Sequence, residues 1–532
     1  MDATVRVGTI VRIPLHGRRV GGWVVADDVE PPSGVALRPI AKVTGHGPSE
    51  DLIDLSVWAA RRWVGRRGTF LRTASPPVAI RHVNSGVVKG RYPPLDHSRV
   101  LRMAPAADRL PLIREVVAEG PALVLVPAAH DAEVLAGRLA RSGTRVALLP
   151  GEWAKAAAGG ATVIGSRAAA WGPAPDAATV LVLDAHDEAY REERAPTWDA
   201  VAVARERARR GGIPFIAVSP CPTLELLELG ELVLPSRGEE LQGWPRLQVV
   251  DRRGDDPRAG LYSRSLVDLV RSGGKVLCVL NRRGRIKLFA CAACGATARC
   301  ERCDAAVEDS DSGELRCRRC RYERPRLCGE CGATRLKALR VGVTRAREEL
   351  EALAGVDVGE VTGDRDDVPD TTVLVGTEAV LHRVARADAV AFLDFDQELL
   401  APRYRAAEEA LALLARAGRI VGGRTRDSRV LVQTRLPDHD VLEAVKHGDP
   451  GRVVEAERER RRVLGLPPFR ALAVVSGEAA AAYVEGLAGV DVAASGDRWL
   501  VRAADHDTLT AALASVPRPS GRLRIEVDPL RA

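Results

Sequence analysis

Apolar and polar positions in the first 80 residues alternate at the period of a half-buried strand, first in Val5-Arg-Val-Gly-Thr-Ile-Val-Arg-Ile-Pro-Leu and again in Val20-Gly-Gly-Trp-Val-Val. His16-Gly17 between them is a turn signal, and Leu52 to Arg66 then changes to helical spacing. The pattern predicts a small α+β domain over residues 1–80. Residues 81–107 carry turn formers without a period, which predicts a linker.

Beyond it the pattern becomes continuous apolar strands alternating with helices, the mark of a parallel sheet covered on both faces. Residues 108–245 form one such lobe, with strands predicted at Ala122-Leu-Val-Leu-Val-Pro, Ala161-Thr-Val-Ile-Gly, Thr179-Val-Leu-Val-Leu-Asp and Pro214-Phe-Ile-Ala-Val-Ser. A second lobe occupies residues 246–288 and 336–465, with strands at Lys275-Val-Leu-Cys-Val-Leu, Thr372-Val-Leu-Val-Gly, Ala389-Val-Ala-Phe-Leu-Asp and Ser428-Arg-Val-Leu-Val-Gln-Thr. Residues 466–532 read as a closing α+β domain, with strands near Ala471 to Ser476, Trp499 to Ala503 and Arg522 to Val527. At 532 residues the chain is too long for one core. No apolar run approaches the ~18–20 residues that cross a bilayer, so a soluble, cytoplasmic protein is expected, without a membrane partner.

The interruption of the second lobe, residues 289–335, carries the clearest chemistry. Eight of the ten cysteines lie there as four Cys-x-x-Cys knuckles: Cys291/Cys294, Cys300/Cys303, Cys317/Cys320 and Cys328/Cys331. A redox pair would explain one such knuckle, but four in tandem supply eight thiolates, enough for two closed Cys₄ zinc sites. The opening Met1-Asp-Ala-Thr-Val-Arg lacks a basic stretch before an apolar core, so a secreted disulfide framework is not expected. Two structural Zn²⁺ per chain are therefore expected, supplying folding free energy that so short a segment cannot draw from its own core. Cys221 and Cys278, in or beside apolar runs, are expected to be buried free thiols.

Net charge is +7, and its placement changes the picture. Between Leu315 and Arg340 the bases Arg316, Arg318, Arg319, Arg321, Arg324, Arg326, Arg335, Lys337 and Arg340 face only Glu323 and Glu330. This predicts a basic zinc-module face that meets phosphate backbone or an acidic partner. Aromatic residues make up only 4%, too few for a broad base-stacking platform.

The order of parts, together with Asn281-Arg-Arg-Gly284 before the knuckles, Val373-Leu-Val-Gly-Thr377, Arg460-Arg-Arg-Val-Leu-Gly-Leu-Pro-Pro-Phe469 and Ile525-Glu-Val-Asp-Pro-Leu530, resembles the PriA family of bacterial replication-restart helicases over essentially the whole chain. The resemblance implies two RecA-like lobes with an inserted two-zinc module, flanked by small α+β domains. It implies that Cys291, Cys294, Cys328 and Cys331 hold one ion and Cys300, Cys303, Cys317 and Cys320 the other. It further implies an N-terminal domain that captures the 3′ end of a nascent strand, and as partners forked or branched DNA, single-stranded DNA-binding protein and other primosome proteins. The family's Asp for that capture lies on an opening segment with no match here, so either the start codon is misassigned or the 3′-OH pocket is incomplete. The family's winged-helix domain is also not expected, since only the short linker precedes the first lobe.

The ATPase positions depart from the family. No Gly-x-x-x-x-Gly-Lys-Ser/Thr occurs, and the place of that loop is taken by Met103-Ala-Pro-Ala-Ala-Asp-Arg-Leu-Pro111. The family's Asp-Glu-Glu-His is replaced by Asp184-Ala-His-Asp187, its Ser-Ala-Thr by Ser219-Pro-Cys221, and its arginine motif by Ala415-Arg-Ala-Gly-Arg419. The chain is thus expected to be a helicase-inactive platform at replication forks, with no catalytic or nucleotide-binding residue. The alternatives are an active ATP-dependent 3′–5′ DNA helicase, and a zinc-ribbon transcription regulator that would leave both lobes unexplained.

Overall fold

The computed structural model describes residues 5–31, 33–34, 37–83, 97–255, 260–280, 288–310, 313–317, 319–339, 343–363, 367–424 and 429–531. In the N-terminal domain the strands Ile10–Leu15 and Arg18–Trp23 pair antiparallel around a two-residue turn, with Leu15 opposite Arg18. His16 (φ 44°) and Gly17 (φ 74°) both take the left-handed conformation that a tight hairpin turn of this kind requires. A third strand, Lys42–Gly45, flanks the first, and the helices Glu50–Arg62 and Arg67–Ala74 follow.

The first lobe holds a seven-stranded sheet, all parallel, in the order Glu231–Val233, Ser98–Arg102, Phe215–Ser219, Thr179–Val182, Ala122–Leu125, Thr162–Gly165, Val146–Leu148. The linker reading of residues 81–107 needs correction: Ser98–Arg102 is a strand paired to Phe215–Ser219, which moves the start of the lobe back to about residue 98. Arginines at both 99 and 102 hide its apolar pair Val100-Leu101 from a periodicity reading. The second lobe holds a six-stranded parallel sheet in the order Arg246–Asp251, Arg429–Thr434, Ala389–Phe392, Val276–Val279, Val373–Gly376, Val358–Val361. All eight expected lobe strands are present, and their α/β cores lie on both faces of each sheet. Asn281–Gly284 lies outside the described residues.

The C-terminal sheet is antiparallel, in the order Asp491–Ser495, Arg498–Ala503, Ala471–Ser476, Arg524–Val527. Its core is continuous with that of the N-terminal domain and the first lobe. A run of aromatic rings ties the latter two together: Trp63 to Phe70 at 6.3 Å, Phe70 to Trp171 at 5.4 Å and Trp171 to Trp198 at 6.0 Å between centroids. Trp171 is fully buried, so Trp171→Ala should destabilise this unit by about 3–5 kcal/mol. Denaturant unfolding followed by tryptophan fluorescence checks this, and a shift of the first-lobe transition by under 1 kcal/mol would contradict it.

No helix among the described residues is long and apolar enough to cross a membrane.

Candidate functional site

The zinc-module knuckles share one local geometry. In each, the residue after the second cysteine takes a left-handed φ: Gly295 (74°), Asp304 (57°), Arg321 (64°) and Gly332 (72°). Its N–H donates to the carbonyl of the first cysteine at 2.9–3.0 Å, which curls the chain and brings both sulfurs to one side. The N–H groups of Ala293 and Arg302 point at the sulfurs of Cys291 and Cys300, favouring the thiolate form that a metal ligand needs. Four sulfurs gather at each of two points, Cys291, Cys294, Cys328 and Cys331 at one and Cys300, Cys303, Cys317 and Cys320 at the other. Separations across the groups are 3.4–3.6 Å, near the ~3.8 Å edge of a tetrahedron of about 2.3 Å bonds. Each group can hold a metal ion. The inner group is closed by the small sheet Val307–Asp309, Leu315–Cys317, Glu323–Arg324, and the outer one by pairing of Leu288–Cys291 with Leu336–Leu339.

Cys221 and Cys278 are buried and belong to neither group. Burial pushes the Cys278 thiol up to about 12 and also raises that of Cys221, leaving both protonated and inert.

The basic face expected on this module is only partly available. Arg319 turns inward, donating to Cys303 O and Ala401 O at 3.0 Å and fastening the module to the second lobe. Arg324 is buried and caps Leu327 O and Arg299 O. Arg321 bonds Ser495 of the C-terminal domain, while Arg316 and Arg326 face Glu323 and Asp309. Arg335 is exposed, and Arg318 and Arg340 lie outside the described residues. A sequence count cannot separate a guanidinium that caps carbonyls from one that faces solvent.

The cleft between the lobes collects the residues at the departed ATPase positions. Met103–Arg109 leaves the carboxyl end of Ser98–Arg102 and enters the helix Leu110–Ala118, the strand–loop–helix place where a phosphate cradle would sit. Here the polarity of that loop is reversed. The Arg109 guanidinium occupies its centre and donates to the carbonyls of Ala104, Pro105 and Ala107. Among the loop's N–H groups, Met103 donates to Ser219 O, Ala106 to Gly243 O and Ala107 to Ala104 O, while Pro105 has none. The open groove outside the loop, about 740 Å³, is lined by Asp108, Arg138, Glu239 and Arg386 among others, with no lysine, serine or threonine among the described residues.

Asp184, just past Thr179–Val182, is held at φ 50° and buried. Arg419, on the second-lobe helix Ala406–Val421, grips both its oxygens, and Arg109 stands 3.5 Å away. Although burial alone would raise this carboxyl, the two arginines hold it well below the usual carboxylate range. His186 Nδ1 lies 3.0 Å from Ser219 Oγ, and Ala185 contributes no acid.

Two further resemblance motifs prove to be hubs of packing. Arg461, within Arg460 to Phe469, is fully buried and meets Glu408 at 2.6 Å, Glu457 at 3.1 Å and Glu225 at 3.3 Å. Glu225 belongs to the first lobe and also binds Arg405 at 2.6 Å. Asp528, within Ile525 to Leu530, binds Arg62 and His506, each at 2.7 Å, joining the N- and C-terminal domains. Arg109, Glu225 and Arg405 carried no signal in the sequence that would have singled them out.

Residues 1–76 match the family model of the PriA 3'DNA-binding domain (3'BD). The "Probable replication restart protein PriA" of Mycobacterium tuberculosis is 29% identical over 545 residues, covering 89% of this chain and 82% of its own. The chain is similar to the PriA replication restart proteins. The "Replication restart protein PriA" of Bacillus subtilis is 26% identical over 407 residues, 68% of this chain. The match spans about half (50%) of that protein's length. Of solved structures, the E. coli DExH-box NTPase HrpB is similar at a TM-score of 0.32 and 13% identity, over 63% of this chain and 39% of its own, too distant to bear on function.

Proposed function

We propose that this chain is a replication restart protein that binds stalled or abandoned replication forks and promotes primosome assembly and replicative helicase loading, without turning over ATP. The match of residues 1–76 to the 3'DNA-binding domain carries this reading, and relatives named replication restart proteins support it across the remaining domains. The eight cysteines hold two structural Zn²⁺, whose role is to fold the module and fix it on the second lobe. Forked or branched DNA is the ligand. Single-stranded DNA-binding protein and other primosome proteins are the partners that the relationship suggests.

The inactive-motor part of the reading is supported by the cleft. Phosphoryl transfer depends on positioning and on neutralising charge, which needs inward N–H donors, a lysine for the β/γ phosphates and a hydroxyl for Mg²⁺. The loop at 103–109 instead turns carbonyls inward, and the carboxylate that would hold the metal is already neutralised by arginines.

The reading is tested by comparing forked DNA bearing a free 3′ end with linear duplex of equal length. The fork should bind several-fold more tightly, and affinity should fall steeply with salt, by roughly 0.9 logarithmic units per phosphate contact for each tenfold rise in salt. Equal affinity for both substrates would contradict fork recognition.

A further inference from the structure

We infer that the two lobes are clamped in one closed arrangement by ion pairs built from this chain's own side chains, so that they form a single body whose closure needs no ligand. One clamp is the Arg109–Asp184–Arg419 cluster and the other the Glu225–Arg405–Arg461–Glu408 cluster. The inference goes beyond the proposed role at forks and does not depend on it.

Both clusters cross the lobe boundary. Asp184, Arg109 and Glu225 come from the first lobe, and Arg405, Glu408, Arg419 and Arg461 from the second. Asp184 and Arg109 each keep 11% of the side chain exposed, while Arg419 reaches in from the rim with 37% exposed. Separating the lobes would leave the Asp184 carboxylate facing Arg109 alone and would strip Arg461 of Glu225. Backbone contacts run the same way. Leu224 N–H donates to Glu408 Oε1 at 2.8 Å, and Arg419 also reaches Pro105 O at 3.4 Å. Apolar packing also joins the lobes, with Ala104 and Cys221 of the first inside the apolar cluster of the second, beside a cavity of about 280 Å³ lined from both. A Cβ at Gly418 would meet Pro245 at 2.8 Å and Pro105 at 3.4 Å, so the helix carrying Arg419 lies directly on the loop. A hinge driven by ligand needs two arrangements of similar free energy, with the ligand favouring one. Here the position that a ligand would bridge is bridged already.

Hydrogen–deuterium exchange on the full zinc-loaded chain tests this. In the wild type the Leu224 amide and the peptide covering 103–111 should be protected, with exchange unchanged by millimolar Mg-ATP. Arg419→Glu sets like charge against Asp184 and should speed exchange at Leu224, on the other clamp, by about tenfold or more, while amides of Ala122–Leu125 stay as they were. Adding Asp184→Arg to it should restore at least half of the lost protection, which a merely local packing role would not allow. If Arg419→Glu fails to fold, Arg419→Gln should give the same change at smaller amplitude. Rapid exchange at Leu224 in the wild type, added protection with Mg-ATP, or no change in either Arg419 variant would overturn the inference.

Discussion

Stripping the metal from the eight-cysteine module is expected to unfold residues 289–335 and leave both parallel sheets intact. Apparent binding free energies of about 10–16 kcal/mol per structural Zn²⁺ are folding free energy when no site exists in the unfolded chain. The module's own apolar core is small, with Phe289, Val307, Leu315 and Leu336 the chief non-cysteine side chains, and its strands are two to four residues long. Each lobe, by contrast, has an extended core of its own. Elemental analysis should give two ions per chain, and chelation should abolish exchange protection within the module only. Nesting adds a finer expectation: Cys291→Ser should release the outer ion and spare the inner site, which closes within residues 300–320. A content of one ion, or metal loss without local unfolding, would contradict this.

The second large effect is expected at Arg461. Arg461→Ala should destabilise the chain by about 3–5 kcal/mol, because it takes the paired guanidinium from buried Glu408 and leaves buried Glu457 to Arg460 alone. Arg461→Lys should recover little, since one ammonium cannot serve three carboxylates that a planar guanidinium reaches together. The loss should also depend on pH. Burial already pushes the Glu408 carboxyl up, with Arg461 opposing it, so removing the arginine raises it further. A folded carboxyl raised above its unfolded value of about 4.3 stabilises least when ionised, so the penalty should grow as pH rises. Denaturant midpoints at pH 5 and pH 8 check the sign, and a larger penalty at pH 5 would refute the assignment.

How far the sequence anticipates these features depends on whether each rests on local pattern or on distant pairing. The central strands, such as Val276–Val279 and Ala389–Phe392, are apolar without interruption because both faces are covered, and they are legible at once. Strands at or near a sheet edge are not: Arg246–Asp251, Val358–Val361 and Ser98–Arg102 carry polar or glycine positions that break the run. The cysteines are legible as eight ligands, but spacing alone does not pair the knuckles; the nested pairing came from resemblance, and the sulfur positions agree with it. Hidden most deeply are the cleft arginines. Arg405 and Arg461 find Glu225 across 180 and 236 residues of chain, and nothing local distinguishes them from solvated bases. The same blindness inflated the basic face of the zinc module, where Arg319 and Arg324 are internal fasteners.

Whether the cleft turns over nucleotide decides between an inactive platform and a working motor. The decisive measurement is steady-state ATP hydrolysis by the purified, zinc-loaded chain with saturating forked DNA, for the wild type and for Ala185→Glu. Both should remain at background, because an added general base has nothing to act on when the loop offers carbonyls where phosphate oxygens need donors. DNA-stimulated turnover of about 1 s⁻¹ or more, ordinary for an enzyme, in the wild type would contradict the account.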